Sequence, residues 1–183
     1  GSGEEPENVY GFSKLMMDNI AYRYIKENPQ ISIVGLRYFN VYGPREVYKG
    51  KTASMMLQLG LQILAGKTPK LFKYGQQKRD FVYIDDVVQA NIKGAVSKKS
   101  GVFNVGSGRA REFNEALGVL HKELGVYTKI EYIDNPWAFY QNHTEADITA
   151  TKEALGYEPR FDIEKGIADY AKEIKRIYEK ELS

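Results

Sequence analysis

A tyrosine and a lysine stand four residues apart in Tyr10-Gly-Phe-Ser-Lys14. On a helix that spacing puts both side chains on one face. A phenol is a poor base at neutral pH, and a nearby ammonium favours its ionised form. Such a pair can take a proton from an alcohol or return one to a ketone. The same pattern also arises by chance on amphipathic helices. A second basic group, Lys49, sits in the polar run 45–51, where it is either a proton donor or a solvated surface lysine. Arg79 carries a planar fork suited to phosphate, or to a surface ion pair with Asp80. The adjacent Asp85 and Asp86 read as a helix cap rather than as paired catalytic carboxylates. Trp137 and Tyr140 lie in an aromatic loop, where they line a sugar, stack on a base or pack beneath the loop. His143 has no partner at ligand spacing and reads as structural. Gly106-Ser107-Gly108 resembles the start of a dinucleotide fingerprint, but Arg111 stands where its third glycine belongs, so the match fails.

These residues need a scaffold. Apolar residues at Val9, Phe12, Met16, Ile20 and Tyr24 predict a helix over 8–27, capped by Asn8 and stopped by Asn28-Pro29. The β-branched run 31–39 predicts a strand buried on both faces, followed by a turn over 40–44. Helical spacing returns over 52–65. Short strands are expected at 70–73 and 79–84, then a helix from Asp85 to about Val96. A strand over 101–105, a helix over 112–124 and a strand over 129–133 follow. After a loop at 134–146 come a short helix over 149–155 and a charged amphipathic helix to about Leu182. This alternation predicts an α/β fold.

Composition narrows the function. With 183 residues and 43% apolar content the chain can bury a core. No apolar run reaches the ~20 residues needed to span a bilayer as a helix. Zero cysteines exclude a disulfide scaffold, a thiolate metal site and a cysteine nucleophile, and fit a reducing, cytoplasmic setting. Two histidines leave little for a metal centre. A net charge of +2 with mixed signs argues against nucleic acid as a partner.

Four motifs occur in order: Y-G-F-S-K from Tyr10, V-G-L-R-Y-F-N-V-Y-G-P-R from Val34, R-D-F-V-Y-I-D-D-V from Arg79 and F-N-V-G-S-G from Phe103. Together they resemble the extended short-chain dehydrogenase/reductases, the nucleotide-sugar epimerases and dehydratases. The resemblance runs from Asn8 to about Tyr178. Arg37 to Glu46, Lys49-Gly50, Pro69 to Phe72, Lys78 to Phe81, Tyr140-Gln141 and Ala146-Asp147 look more narrowly like the ADP-heptose 6-epimerase family. Those enzymes interconvert C6 epimers of an ADP-heptose for lipopolysaccharide core synthesis.

The resemblance implies several expectations. The chain would be the C-terminal part of a Rossmann-like enzyme with a smaller α/β substrate-binding domain. Residues 1–50 would end the Rossmann-like part, and 51–183 would be mainly the substrate domain, with segments near 80–105 returning to the first part. The fingerprint would lie upstream, so this chain alone would lack activity. Tyr10 would be a proton acceptor and donor, Lys14 would hold the nicotinamide ribose, and Lys49 would be the second acid/base group. Tyr10, Lys14, Val41 and Lys49 would meet NADP, or NAD. Asn40, Lys51, Gln58, Phe72, Lys73, Tyr74, Gly75, Arg79 and Tyr140 would hold the ADP-sugar. A homo-oligomer, or association with a dinucleotide-binding half, is implied, with no nucleic acid or membrane partner and no metal. Departures exist: Tyr48 replaces a usual His, Lys51 and Gln58 replace other polar types, and the loop from Phe72 to Arg79 is one residue short. Another epimerase or dehydratase of the same family, or a non-catalytic sugar-nucleotide binding module, are the competing readings.

Overall fold

The computed structural model describes residues 5–6, 8–134 and 141–181. Helix α1 (Val9–Glu27) starts where the Asn8 side chain accepts the Gly11 amide at 2.8 Å, one of the amides a helix start leaves without a partner. It ends at Asn28, whose backbone and side-chain amides both donate to the Tyr24 carbonyl. Strand β1 (Val34–Tyr38) follows. The expected single strand over 31–39 is interrupted after Tyr38. Phe39 donates to the Val105 carbonyl, the Val41 amide donates to the Phe39 carbonyl at 2.9 Å, and the chain resumes as strand β2 (Asn40–Tyr42). Residues 40–42, read as part of a turn, are therefore strand.

Next come helix α2 (Met55–Leu64), strand β3 (Lys70–Phe72), strand β4 (Lys78–Tyr83) and helix α3 (Ile84–Val96). They are followed by strands β5 (Gly101–Val105) and β6 (Ala110–Glu112) and helix α4 (Phe113–Leu124). Strand β7 (Glu131–Ile133), helix α5 (Thr149–Leu155) and helix α6 (Ile163–Glu181) follow. β1 pairs in parallel with β5, β2 with β4 and β3 with β7. β6 runs antiparallel to β4, a strand that the sequence pattern did not announce. The result is α/β with parallel pairs, as expected.

β4 carries both cores because its side chains alternate in direction. Phe81 and Tyr83 join the larger cluster, where α2, α4 and α6 bring in Leu59, Leu117, Ile167 and Ile174. Val82 joins a second cluster with Val87, Val105 and Tyr157. A fully buried Leu or Ile of this kind contributes about 1.5–3 kcal/mol. β1 is only half-buried along Val34–Arg37, less than a strand covered on both faces. α1 buries none of its residues, and the Arg37 guanidinium ties β1 to it through Asp18 at 2.7 Å.

Candidate active site

The crossing from β1 to β2 is where the chain leaves one parallel partner and takes another. Asn40 and Val41 open β2 there, opposite Phe81 and Val82 of β4. Points where neighbouring strands part are where open α/β sheets receive ligands. Asn40 is exposed, and Val41 is half-buried against the second core.

Lys49 sits three residues past Glu46 on a short 3-10 turn, Val47–Thr52. Gly50 has φ +54 inside this turn, a left-handed backbone that glycine adopts freely. The Thr52 hydroxyl donates to the Lys49 carbonyl at 2.8 Å. The Lys49 ammonium is 3.9 Å from Glu46 Oε2, with its side chain 43% exposed, so it is held yet reachable. Gln58 Nε2 donates to the Lys51 and Ala53 carbonyls at 3.3 and 2.7 Å. This use of Gln58, bracing the loop from α2, has no signal in sequence spacing.

Tyr10 and Lys14 share one face of α1, with the Lys14 Nζ 5.1 Å from the centre of the Tyr10 ring. Tyr10 is 72% exposed. Among the described residues no hydrogen bond or ion pair joins Tyr10 or Lys14 to Lys49. The structure brings the expected acid/base groups to two places, α1 and the turn after β2.

Four of the expected sugar-nucleotide residues, Phe72 to Gly75, form a second group. Phe72 ends β3, and Lys73, Tyr74 and Gly75 form a 3-10 turn, Lys73–Gly75. Tyr74 is exposed with φ +55, a backbone that costs a non-glycine residue about 1 kcal/mol or more. Asn114 Nδ2 donates to its carbonyl at 2.7 Å, and the Tyr132 hydroxyl donates to Asn114 Oδ1 at 3.2 Å. Gly75 has φ +69, and a Cβ there would collide with the Asn114 side chain. Asn114 and Tyr132 were not singled out by the sequence. Tyr140 and Trp137 lie outside the described residues.

Arg79 is only 8% exposed, and its Nη1 donates to the Lys78 carbonyl at 2.8 Å. The surface ion pair with Asp80 is therefore not formed. Asp80 is fully buried and accepts the Ser107, Gly108 and Ala146 amides at 2.6, 2.9 and 3.1 Å. The Ser107 hydroxyl adds a fourth bond at 2.7 Å. Two amides of the Gly106–Gly108 turn are thus committed to a carboxylate, and the turn does not cradle a phosphate. This agrees with the failed fingerprint. Asp86 is not a cap either. It is buried and accepts the Arg160 and Phe161 amides at 2.9 and 3.0 Å. Burial pushes its carboxyl up, against the pull of those amides. Asp85 remains in the first turn of α3. His143 lies 3.1 Å from Glu145 and is exposed. Among the described residues no cluster of His, Cys, Asp or Glu could hold a metal ion, and no helix is long and apolar enough to cross a membrane.

A nicotinamide dinucleotide is the cofactor that this class of fold implies. The described residues hold an exposed phenol, Tyr10, with the Lys14 ammonium over its ring, and strands that part at Asn40 and Val41. They offer no diphosphate cradle at Gly106–Gly108.

Parallel strands that part at Asn40 and Val41, with Tyr10 and Lys14 on α1 and Lys49 on the turn after β2, make this the class of α/β fold that receives a ligand at its strand ends. The chain belongs to the NAD dependent epimerase/dehydratase family, whose sequence profile matches residues 2–106. It is 53% identical to the ADP-L-glycero-D-manno-heptose-6-epimerase of Helicobacter pylori, with TM-score 0.87, covering 96% of this chain and 54% of that one. UDP-glucose 4-epimerase of Thermotoga maritima, solved with UDP-glucose, is 29% identical with TM-score 0.86, covering 94% and 55%. UDP-glucuronic acid 4-epimerase of Bacillus cereus, solved with NAD, is 30% identical with TM-score 0.79, covering 95% and 54%. The chain spans about half the length of these structures.

Proposed function

We propose that this chain is the proton-transfer and substrate-holding half of a nucleotide-sugar epimerase that interconverts the C6 epimers of an ADP-heptose with NADP. Residues 1–50 complete the Rossmann-like part, and 51–183 are mainly the substrate domain. The observation that carries the reading is the Lys49 turn: a reachable ammonium on a braced loop, just past the strand crossing that bears Asn40 and Val41. The Helicobacter pylori relative supports the choice of sugar.

The chemistry needs two protonic groups. A bound nicotinamide dinucleotide supplies hydride removal from C6 and hydride return. Tyr10 Oη takes the proton of the C6 hydroxyl as the ketone forms, and the Lys14 ammonium holds the phenolate that makes this possible. The ketone then presents its other face. Lys49 Nζ gives a proton to the carbonyl oxygen on that side, leaving the opposite epimer. Asn40, Lys51, Gln58, Phe72, Lys73, Tyr74, Gly75, Arg79 and Tyr140 keep the roles in substrate binding that the resemblance implies.

Tyr10→Phe and Lys49→Ala in the full-length protein test the assignment. Each is expected to lower kcat on an ADP-heptose by about 10²–10⁴-fold, the usual share of general acid–base catalysis. Full activity of Lys49→Ala would remove the heptose assignment.

A further inference from the structure

Glu46 is a charged side chain that the reaction as proposed does not use, yet it is 4% exposed. Burying a carboxylate is costly unless its oxygens are satisfied, and in this fold they are. Oε2 accepts the Ser54 amide at 2.8 Å. Oε1 accepts the Ser54 hydroxyl at 2.5 Å and the Tyr170 hydroxyl at 2.9 Å. The Lys49 ammonium lies on the remaining side, 3.9 Å from Oε2. Ser54 is the N-cap of α2, with its hydroxyl accepting the Leu57 amide, and Tyr170 comes from the middle of α6. Two helices therefore converge on one carboxylate, and the carboxylate faces one lysine. A second tie runs parallel to it. The Arg45 amide donates to Glu173 Oε1 at 2.8 Å, and Arg45 holds φ +70, which costs a non-glycine residue about 1–3 kcal/mol. A solvated surface loop has no need of such a post.

We propose that Glu46 is a positioning residue for Lys49, and that α6, through Tyr170, sets where the Lys49 ammonium stands. The proposal rests on the reading of Lys49 as a proton-transfer group. The carboxylate anchors the backbone of the turn through Ser54 and supplies the only anion in direct contact with the Lys49 ammonium among the described residues. The other charged groups nearby, Arg45, Lys51 and Glu173, lie on the same loop or on α6, and Glu173 is engaged with Arg45 and Arg176. Burial and the Glu46 carboxylate both raise the Tyr170 phenol, so Tyr170 remains a donor to Glu46.

The test is a double-mutant cycle in the full-length protein. Glu46→Gln preserves shape: its amide oxygen can stay on the Ser54 amide while its NH2 group meets two hydroxyls able to accept. It removes the charge that faces Lys49, and it loosens the turn because the hydroxyls of Ser54 and Tyr170 must now accept where they donated. Expected is a fall in kcat of about 10- to 100-fold with KM changed by less than about twofold, the cost of misplacing a reacting group. In a Lys49→Ala background the same substitution is expected to add no further loss. Tyr170→Phe keeps the charge and removes one anchor, so it is expected to give a smaller loss of the same kind. Trypsin supplies a readout independent of turnover: cleavage after Arg45, Lys49 and Lys51 is expected to quicken in both variants. Should Glu46→Gln fail to fold, Tyr170→Phe carries the cycle. A loss that persists undiminished in Lys49→Ala, or a change in KM alone, would overturn the proposal. So would wild-type kcat in Glu46→Gln when Lys49→Ala is impaired. Wild-type kcat in Lys49→Ala would instead overturn the reading of Lys49 on which the proposal stands.

Discussion

At the scale of single residues, three buried carboxylates organise the region around the strand crossing. Asp80 gathers the Ser107, Gly108 and Ala146 amides, Asp86 holds the backbone at Arg160 and Phe161, and Glu46 ties the start of α2 to Tyr170 of α6. Each joins segments far apart in the chain, which is why spacing did not reveal them. The partners are mostly backbone amides, and any sequence supplies those. By contrast, Tyr10, Lys14 and Lys49 were visible because their residue types and local order carry the motif. One buried titratable group lies apart from the site. His121 on α4 is 7% exposed, and its Nε2 accepts the Thr128 amide at 3.4 Å. Burial lowers its imidazole below the ordinary 6.5. The unfolded chain therefore takes up this proton first as pH falls. The stability from neutral His121 is full above 6.5 and is lost as pH drops towards the folded value. Thermal melts between about pH 7 and pH 5 should show a steeper fall for the unmodified chain than for His121→Gln. Equal slopes would refute this role of His121.

At the scale of elements, the helices were the most legible part. Period-3.6 patterns marked α1, α3, α4 and α6 to within a residue or two, because each needs one continuous apolar face or a cap. α4 shows this well, with Glu112 and Glu115 forming a reciprocal capping box and Gly125 ending the helix. Strands were less legible. β2, β3, β6 and β7 have three residues each, too few for alternation to register, and the break between β1 and β2 depends on which partner each segment meets. α6 explains much of the packing. Ile163, Ile167, Tyr170, Ile174 and Ile177 are buried, and Gly166 sits where a Cβ would strike the Tyr42 hydroxyl. Gly166→Ala should therefore destabilise the fold by about 1–3 kcal/mol through overpacking. Adding Tyr42→Phe, which deletes the obstructing oxygen, should recover part of the loss. Denaturant melts of the single and double variants decide it, and no recovery would mean that the glycine is needed for another reason.

At the scale of the whole molecule, the two cores meet at β4, while α1 stays outside both. Val9, Tyr10, Phe12, Met17 and Ile20 of α1 are each more than half exposed, an apolar face of the kind that marks a contact surface. Composition and periodicity pointed only to an α/β protein, and the ordered motifs pointed to the family. The proposed choice of sugar rests on the likeness to the Helicobacter pylori relative, and turnover by the full-length protein tests it. The most direct test is to incubate the full-length protein, loaded with NADP, with one C6 epimer of the ADP-heptose and to resolve the products by NMR. A C6 epimerase should yield a mixture of the two C6 epimers with no net consumption of the cofactor. An unchanged ADP-heptose, alongside C4 epimerisation of UDP-glucose, would contradict the proposed function.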